Sequence, residues 1–566
     1  AIFSSTTHYW VAADLATISN GAISVPVYPT SSANDIDFII NNSQAKVLFV
    51  QNESLLKRAL AVRDSIPTVQ KIVLFFLPAD VKSVDELAVK YNLPNGLLAD
   101  IESVRKLGAS LDTAHLKILE DRMKSTPKDG IATIIYTSGT TGVPKGVPLT
   151  HGNIMAVIED MKPVLSEDER AVYLSYLPLS HIFERICGEF YWLTHGGVCA
   201  FAESIEMMGR NMIEVEPTTI LVVPRVLDRI YTKVRSGIDG TTGRKRKLID
   251  WGLDVGAEVV ECHGEGKKIG PLLWVKHQIA DKLVLEKLRQ RIGPNLRIIV
   301  SGGAPATKEV LTFFNAVGIN TLEGYGLTET SAPTNVNRIG QVKIGTVGPA
   351  VDSVHQKLAE DGEILVKGPT IFKGYYNNPE ATAEAFEGEW FKTGDIGTID
   401  ADGYLKITDR KKDLIINSAG KNIAPQRVEA VLKTVPFVTQ AVVFGDKQKH
   451  LVALITLEEQ AACDFARERN WEFDSYFDLS RSTALLGFLK KELQARSRDL
   501  ADYEQVKRFA ILANELSVEA GELTATLKIK RNVVGRNYKS LIDQMYSSHD
   551  PVAAEHENRE LAALAK

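Results

Sequence analysis

Cysteine is scarce in this chain of 566 residues, and its few copies are far apart. They form neither a CxxC pair nor a spacing that suits metal ligands, so neither a disulfide framework nor a cysteine-based zinc site is predicted. We expect idle thiols in a reducing compartment. The four cysteines are Cys187, Cys199, Cys262 and Cys463.

Long hydrophobic runs are missing as well. No run approaches the roughly 20 apolar residues that cross a bilayer, and the chain does not open on a signal-like segment. We therefore predict a cytoplasmic protein. The chain begins without Met at AIFSS (1–5), which looks like the inside of a strand, so we expect it to lack its natural N-terminus.

Excess positive charge is a third absence. The formal net charge is −5, so no general attraction to nucleic acid is expected, and an anionic ligand must be met by local lysines and dipoles. Hydrophobic residues make up 44% and charged residues 24%, which is ordinary globular composition. The length allows more than one hydrophobic core, so we predict at least two domains.

Short apolar runs alternate with helical patterns through the first 400 residues. Such runs, which lack polar alternation, predict parallel sheets covered by helices on both faces, an α/β fold. The segment 153–161 is predicted to be a helix with Thr150 as its cap. The predicted strands include 46–50, 71–76, 218–224 and 296–303.

The pattern changes twice in the last third of the chain. From Gly362, turn residues between short alternating strands predict antiparallel hairpins or a small barrel. Beyond the charged run DRKKD, a helix at 425–434 and strands at 440–446 and 451–457 precede a long helical region. We predict a large N-terminal domain (1–408) of parallel-rich sheets plus a small barrel-like β subdomain, a small mobile α+β C-terminal domain (409–548) with a hinge at 409–413, and a polar tail (549–566).

The stretch YTSGTTGVPKG (136–146) is rich in small donors and ends on a lysine. Glycine lets the backbone approach a polyphosphate closely, while N–H and O–H groups and one cation can bind its oxygens. The spacing is not that of a Walker A loop. The apolar flanks IATII and GVPLT predict that the loop joins two strands. A glycine-rich hairpin without a ligand is the alternative.

TSGTTGVPKG resembles the phosphate loop of the adenylate-forming superfamily, which includes acyl-CoA synthetases, luciferases and nonribosomal adenylation domains. Seven further stretches resemble the other signatures of that family, in the family's order. They are YLPLSHIFER (176–185), SGGAP (301–305), EGYGLTET (323–330), KTGD (392–395), DRKKD (409–413), NSAGKNIAP (417–425) and GELTATLKIKR (521–531).

The resemblance implies a role for each matching residue. Lys528, Thr328, Glu329 and His181 would be catalytic, with Lys530 as the competing position for the lysine because this chain reads TLK where many members read SGK. Glu329 and Thr137 would hold a metal ion, and Ser418, Gly420 and Lys421 would border the thioester-forming tunnel. The implied ATP- and AMP-binding residues are Thr137, Ser138, Gly139, Thr140, Thr141, Gly142, Lys145, Gly303, Ala304, Pro305, Glu323, Gly324, Tyr325, Gly326, Thr328, Asp395, Arg410, Lys412 and Lys528.

The resemblance also implies the reaction. A carboxylate would attack the α-phosphorus of ATP with Mg²⁺ bound, and the thiol of coenzyme A would then displace AMP, while the small domain turns about the hinge. LPLSHIFER, VVPRVLDRIY (222–231) and the segment 235–293 are most similar to long-chain fatty acyl-CoA synthetases. Two alternatives stay open: a ligase that passes the acyl group to a carrier protein or other acceptor, and a non-catalytic nucleotide and fatty-acid binding module.

The stretch 267–288 mixes lysine with leucine, valine and tryptophan. A core-facing helix with one solvated face is the favoured interpretation, and peripheral contact with a membrane surface is the alternative. A homodimer is the other partner that the sequence leaves open, beside the expected fatty acid, ATP and coenzyme A.

Overall fold

The structure is a computed structural model that describes residues 1–138, 143–165, 170–205, 207–518, 520–524 and 528–547. The chain divides into two units. The first unit comprises Ala1–Glu360, Ile364–Thr393 and Thr398–Lys406, and the second comprises Asp361–Glu363, Gly394–Gly397 and Ile407–Lys566.

The first sheet of the first unit is parallel throughout, with the order β2-β1-β3-β4-β5. The strands predicted at 46–50 and 71–76 are its neighbours β3 and β4. AIFSS contains β1, which pairs with β2 on one side and with β3 on the other. The strands are β1 (Ile2–Phe3), β2 (Pro26–Val27), β3 (Val47–Val50), β4 (Lys71–Leu74) and β5 (Leu98–Asp100).

An antiparallel hairpin follows, formed by β6 (Ile131–Ser138) and β7 (Pro144–Thr150). The prediction that the glycine-rich loop joins two strands is thus confirmed. The helix after the hairpin spans His151–Leu165, longer than the predicted 153–161. Its predicted cap is present, because Thr150 Oγ1 accepts a hydrogen bond from Asn153 N at 3.1 Å.

The second sheet has the order β13-β12-β11-β10-β8-β9, and every pairing is parallel except that of β12 with β13. The predicted strands at 218–224 and 296–303 are β10 and β11, whose residues are all buried, which explains their unbroken apolar sequence. The strands are β8 (Val172–Ser175), β9 (Val198–Phe201), β10 (Thr219–Val222), β11 (Ile298–Ser301), β12 (Asn320–Leu327) and β13 (Ala332–Val336).

Helices surround these sheets, and two π-helical segments, Glu184–Phe190 and Asp281–Leu285, interrupt the regular pattern. The helix predicted for the stretch 267–288 accordingly consists of two α-helices with the second π segment between them. The α-helices of the first unit are α1 (His8–Ser19), α2 (Ala33–Ser43), α3 (Glu53–Leu60), α4 (Val84–Lys90), α5 (Ile101–Ala109), α6 (Thr113–Ser125), α7 (His151–Leu165), α8 (Tyr191–His195), α9 (Met208–Val215), α10 (Pro224–Asp239), α11 (Gly243–Gly264), α12 (Pro271–Ala280), α13 (Glu286–Ile292), α14 (Lys308–Ala316) and α15 (Pro379–Ala385).

The antiparallel sheet has the order β14-β15-β17-β16, with β18 also paired to β17. It is the barrel-like β part that the turn-rich sequence after Gly362 predicted. The strands are β14 (His355–Leu358), β15 (Glu363–Lys367), β16 (Phe386–Glu387), β17 (Trp390–Ile399) and β18 (Leu405–Arg410).

The second unit is α+β. Its three-stranded sheet is buried on both faces, because alternate residues of its middle strand enter two different hydrophobic clusters. The predicted helix 425–434 spans Pro425–Leu432, and the predicted long helical region contains the helix Thr483–Arg496. The elements are β19 (Ile415–Ile416), β20 (Asn422–Ile423), α16 (Pro425–Leu432), β21 (Val438–Phe444), β22 (Leu451–Leu457), α17 (Glu459–Glu468), α18 (Tyr476–Arg481), α19 (Thr483–Arg496), β23 (Val506–Ile511), α20 (Arg531–Asn537) and α21 (Lys539–Ser547).

The described part of the chain contains no helix that is both long and apolar enough to span a membrane. The predicted tail, 549–566, lies outside the described residues. The predicted domain limits and hinge remain predictions.

Candidate functional site

The hairpin β6–β7 presents the ends of the glycine-rich loop. Thr137 is paired in register with Lys145, and its Oγ1 donates to Lys145 O at 3.5 Å. The preceding residue of β6, the buried Tyr136, holds the strand in place because its hydroxyl donates a hydrogen bond to Asn42 Oδ1 at 2.7 Å. Ser138 pairs with Pro144 through its backbone. The remaining predicted loop residues, Gly139, Thr140, Thr141 and Gly142, lie outside the described residues.

A tyrosine that the sequence analysis did not select connects the loop lysine to the predicted metal ligand. Lys145 Nζ lies 4.9 Å from the centre of the Tyr375 ring, a cation–π distance. The Tyr375 hydroxyl donates to Glu329 Oε1 at 2.9 Å. One aromatic side chain therefore gathers a cation and a carboxylate beside the hairpin.

Backbone hydrogen bonds hold this junction in place. Tyr376 N donates to Gly146 O at 2.8 Å, and Phe372 N donates to Glu329 O at 2.9 Å. The Phe372 ring packs with Phe391 in an edge-on contact, with centroids 5.3 Å apart. The segment 372–376 is thus anchored to the loop at one end and to Glu329 at the other. The only sequence signal was the pair of tyrosines in GYYNN, which resembled a turn.

Thr328 and Glu329 begin a short 3₁₀ turn at the end of β12. The chain reverses there so tightly that a Cβ on Gly326 would lie 2.0 Å from Ala332 O, so only glycine fits. Ser331 and Ala332 have φ values of 60° and 98°, left-handed conformations that cost free energy in non-glycine residues. Strain of this kind collects at functional sites, which supports a role for this turn.

Two predicted nucleotide-binding stretches are adjacent in the second sheet. β11, which leads into SGGAP, is parallel to β12, and Ser301 is paired with Glu323. Ala306 N donates to Glu323 Oε1 at 3.2 Å, while burial of this carboxyl raises its pKa to about 7. Gly303 has φ +83°, which favours glycine. Of the other predicted residues, Ala304 and Pro305 lie in the loop before α14, and Gly324 and Tyr325 lie within β12.

His181 is half-buried at the start of the segment that becomes π-helical, and its Nδ1 accepts a hydrogen bond from Phe183 N at 3.2 Å. The ring of Phe183 would contact a Cβ on Gly302 at 3.3 Å. The histidine motif and SGGAP are therefore packed together.

Two charged residues of the same motif form a buried cluster that the sequence analysis missed. The Arg185 guanidinium is fully buried and pairs with Asp14, with Nη2 2.5 Å from Oδ1 and Nε 3.1 Å from Oδ2. It also donates to Thr133 Oγ1 in β6. Glu184 accepts from the Tyr173 hydroxyl at 2.7 Å, and burial raises its pKa to about 7. Charged residues in the apolar stretch HIFERIC were the available signal, since buried charges require partners.

The predicted ribose ligands Asp395 and Arg410 form an ion pair in the second unit, with Nε and Oδ1 3.1 Å apart. The adjacent Lys411 pairs with Asp361 at 2.5 Å and with Glu363 at 2.7 Å. Lys412, at the predicted pivot, is exposed.

The predicted thioester-side residues lie on an exposed turn between β19 and β20. Asn417 Oδ1 accepts from Ala419 N at 3.0 Å and from Lys421 N at 2.9 Å, which fixes the turn. Gly420 has φ +73°. Ser418 N donates to Gln448 O at 3.0 Å.

Lys528 lies in the stretch 521–531, which we call the lysine loop; residues 525–527 of it are outside the described residues. Its N–H donates to Thr524 Oγ1 at 3.0 Å, and Thr524 N donates to Lys528 O at 2.8 Å. Three residues later, Arg531 pairs with Glu429 and donates to Val443 O at 2.7 Å. The arginine thereby fixes the base of the lysine loop to α16 and β21.

Comparison with known proteins agrees with the resemblance of the motifs. A family model described as AMP-binding enzyme matches residues 1–376, and one described as AMP-binding enzyme C-terminal domain matches residues 412–550. The long-chain-fatty-acid–CoA ligase FadD15 of Mycobacterium bovis is 34% identical over 559 residues, which cover 96% of this chain and 87% of the relative.

A second relative and a solved structure extend the comparison. The long-chain-fatty-acid–CoA ligase ACSBG2 of Xenopus laevis is 31% identical over 95% of this chain and 75% of its own length. The adenylation domain of a carboxylate reductase from Mycobacterium chelonae superposes with a TM-score of 0.72 at 20% identity, covering 97% of this chain and 80% of that one. At that identity, the likeness concerns the fold.

Proposed function

The chain belongs to the AMP-binding enzyme family, and we propose that it is an ATP-dependent ligase that activates a long-chain fatty acid as acyl-AMP and transfers the acyl group to coenzyme A. The junction of Lys145, Tyr375 and Glu329 carries this proposal, because it places a cation and a carboxylate together beside the predicted phosphate loop. The named activity of the relatives supports the long-chain substrate.

In the first half-reaction, a carboxylate oxygen of the fatty acid attacks the α-phosphorus of ATP. The bond from that phosphorus to the bridging oxygen breaks, and pyrophosphate leaves with the electron pair. Acid and triphosphate are both anions, so fixed cations and hydrogen-bond donors lower the barrier. We assign the Lys145 ammonium to the phosphates, the Thr328 hydroxyl to the α-phosphate and Lys528 to the charge that develops on it.

A single carboxylate beside the loop also fits a nucleotide-borne metal ion. The described residues contain no group of three or more His, Cys, Asp or Glu side chains that could hold a metal ion. Mg²⁺ is commonly bound by one or two carboxylates together with phosphate oxygens and water. We propose that Glu329, with the Thr137 hydroxyl, holds Mg²⁺, which when bound would neutralise phosphate charge.

In the second half-reaction, the sulfur of coenzyme A attacks the acyl carbon of acyl-AMP. The bond from that carbon to the phosphate oxygen breaks, AMP leaves, and the thiol proton is released. We propose that Ser418, Gly420 and Lys421 serve this step and that 409–413 is the hinge by which the enzyme alternates between the steps.

Lys412→Pro, which fixes the backbone angle φ within the proposed hinge, should slow one half-reaction more than the other. Equal losses in both half-reactions would contradict the hinge.

Pyrophosphate release measured across fatty acids of different lengths, with and without coenzyme A, tests the proposal. We expect AMP and pyrophosphate as products, with long acids preferred because each buried methylene contributes about 0.8 kcal/mol. Release of ADP, or no dependence on the acid, would overturn it.

The hydroxyl at Tyr375 offers a matched probe. Tyr375→Phe keeps the ring beside Lys145 but removes the hydrogen-bond donor to Glu329, so the variant should need a higher Mg²⁺ concentration for activity.

Two alternatives are separated by the same assay. A ligase that serves a carrier protein would form acyl-AMP but would not form acyl-CoA, so replacing coenzyme A with a carrier thiol distinguishes it. A non-catalytic binding module would release no pyrophosphate. Homodimer formation and a cytoplasmic location remain predictions.

A further inference from the structure

The helix α12 is apolar on two sides, and the described residues of the chain cover one of them. Ala280 at its end and Val284 and Leu285 in the following π segment are buried. Val284 packs so closely on α11 that a Cβ on Gly252 would lie 2.9 Å from it. This side is the core-facing one that the sequence predicted.

The other side carries large apolar residues into solvent. Leu272, Val275, Ile279 and Leu283 follow a spacing that places them along one stripe of the helix. A helix that is hydrophobic beyond its packed face has a second partner, and clustered exposed apolar groups mark such interaction sites. The exposed fractions are 71% for Leu272, 47% for Val275, 49% for Ile279 and 44% for Leu283, with Trp274 at 56%.

The charge around this stripe opposes that of the whole protein. Residues 267–283 contain four lysines and one aspartate, whereas the chain carries a net charge of −5. Lys268, Lys276 and Lys282 are exposed, as is Lys267, which pairs with Glu265 at 2.6 Å. The aspartate, Asp281, is paired with Arg289 at 2.6 Å. The surface is therefore apolar along its axis and basic along its edges.

We propose that this stripe, Leu272–Leu283 with its flanking lysines, docks the protein on the surface of an anionic lipid bilayer. Helices that lie in the membrane interface combine an apolar face with lysines that reach anionic headgroups. A second copy of the chain fits less well, because a two-fold contact through the stripe would bring like charges together. Delivery of fatty acid from the bilayer to the site would rest on the proposed function. The docking itself rests only on the exposed stripe and its lysines and does not depend on that function.

Cosedimentation with lipid vesicles tests the docking. Vesicles of phosphatidylcholine mixed with phosphatidylglycerol should retain the wild-type protein, and a Val275→Glu/Ile279→Glu variant should partition about tenfold or more weakly, since it puts two charges into the apolar face. Ile213→Glu is the matched control, because Ile213 on α9 is 67% exposed and lies outside the stripe. Equal sedimentation of wild type and stripe variant would overturn the proposal, as would a wild type that stays in the supernatant.

Two further readouts distinguish a lipid surface from a second copy of the chain. Lys276→Glu/Lys282→Glu should weaken binding to the mixed vesicles and remove its salt dependence, whereas unchanged binding would contradict the role of the lysines. A stripe variant that turns a dimer into a monomer without any vesicle binding would assign the surface to a second copy instead. The Val275→Glu/Ile279→Glu variant should keep wild-type pyrophosphate release when fatty acid is supplied in solution. This measurement separates a loss of docking from a failure of the proposed function.

Discussion

Each unit contains a buried arginine that follows a predicted catalytic residue by three or four positions. Arg185 follows His181 in the first unit, and Arg531 follows Lys528 in the second. Arg185 is fully buried and uses three of its nitrogens on Asp14 and Thr133. The side chain of Arg531 is 17% exposed, and one nitrogen, Nη1, donates both to Glu429 and to Val443 O.

The surroundings of the two arginines also show that Arg185 is more completely enclosed and bonded than Arg531. Arg185 lies between the rings of Trp10 and Phe190, at 5.4 and 5.5 Å from their centres. In the second unit, Arg531 Nε and Asp409 Oδ2 are buried, and neither has a hydrogen-bond partner among the described residues. The first arginine is thus a saturated part of the core, and the second is an anchor with spare bonding capacity.

The difference separates two ways of supporting a site. A saturated buried pair supports the fold, so its loss should appear as a loss of stability. An anchor at the base of one functional loop supports geometry, so its loss should appear mainly in the reaction step that uses the loop. The variants below test whether this distinction holds.

The largest effect is expected for Arg185→Met. Removing one partner leaves the Asp14 carboxylate buried without its counter-charge, which costs about 3–5 kcal/mol in the free energy of unfolding. Denaturant unfolding measures this loss. Arg105→Met is the control, because Arg105 forms an exposed surface pair with Glu102, and such pairs contribute little to stability. The double variant Arg185→Met/Asp14→Leu should recover part of the loss; equal losses in Arg185→Met and Arg105→Met would contradict the assignment.

Lys528→Ala should affect catalysis with little change in stability. Loss of a cation aimed at the reacting phosphate lowers the rate of acyl-AMP formation by about a hundredfold or more, near 3 kcal/mol. Thioester formation from supplied acyl-AMP should remain largely intact. Lys530→Ala is the matched control and distinguishes the two candidate lysines. A larger loss in the Lys530 variant, or equal loss of both half-reactions, would move the catalytic role away from Lys528.

Arg531→Gln should give a smaller effect on the same half-reaction. Because the anchor acts through the lysine loop, we expect about a tenfold slower acyl-AMP formation, near 1.4 kcal/mol, and a smaller change in thioester formation. Glu429→Gln should act alike, and the double variant should be no worse than either single one, since both remove the same contact. Additive losses, or equal damage to both half-reactions, would show that Arg531 only supports the fold.

The sequence predicted the fold well where the physical signal was local. Strands buried on both faces read as unbroken apolar runs, as in β10 and β11, and the apolar flanks of the glycine-rich loop predicted its hairpin. The exposed stripe on α12 could not be predicted in this way. Its two apolar sides both resemble a core-facing pattern in sequence, and only the packing on α11 shows which side is covered.

The motifs named the residues of the candidate site, but they did not indicate the contacts that support those residues. Tyr375 lies 46 positions from Glu329, and Arg185 lies 171 from Asp14, so the fold alone brings these partners together. The family motifs named the residues assigned to the substrates, and the structure adds the side chains that orient them. The charged pair in HIFERIC was nevertheless a usable warning, because charges in an apolar stretch predict a buried network.

The last comparison concerns the pH dependence of stability and takes one carboxyl from each cluster. Burial raises the pKa of Glu184 and of Asp409 to about 7. A raised pKa means that the folded state binds the proton more tightly than the unfolded chain, so this contribution to stability is complete below about pH 4 and is lost as the pH rises to about 7. Glu184→Gln should remove this contribution, so the free energy of unfolding of the first unit should decrease less steeply as the pH rises, by up to about 1.4 kcal/mol per pH unit.

Asp409→Asn should flatten the same fall in the unfolding of the second unit, measured by thermal unfolding at several pH values between 4 and 7. Burial dominates both pKa shifts, but Asp409 also has Arg531 nearby, which opposes its shift. Arg531→Gln should therefore steepen the pH dependence of the second unit. If Arg531→Gln left the slope unchanged, Asp409 would not sense the arginine, and the spare bonding capacity of this cluster would have no electrostatic consequence.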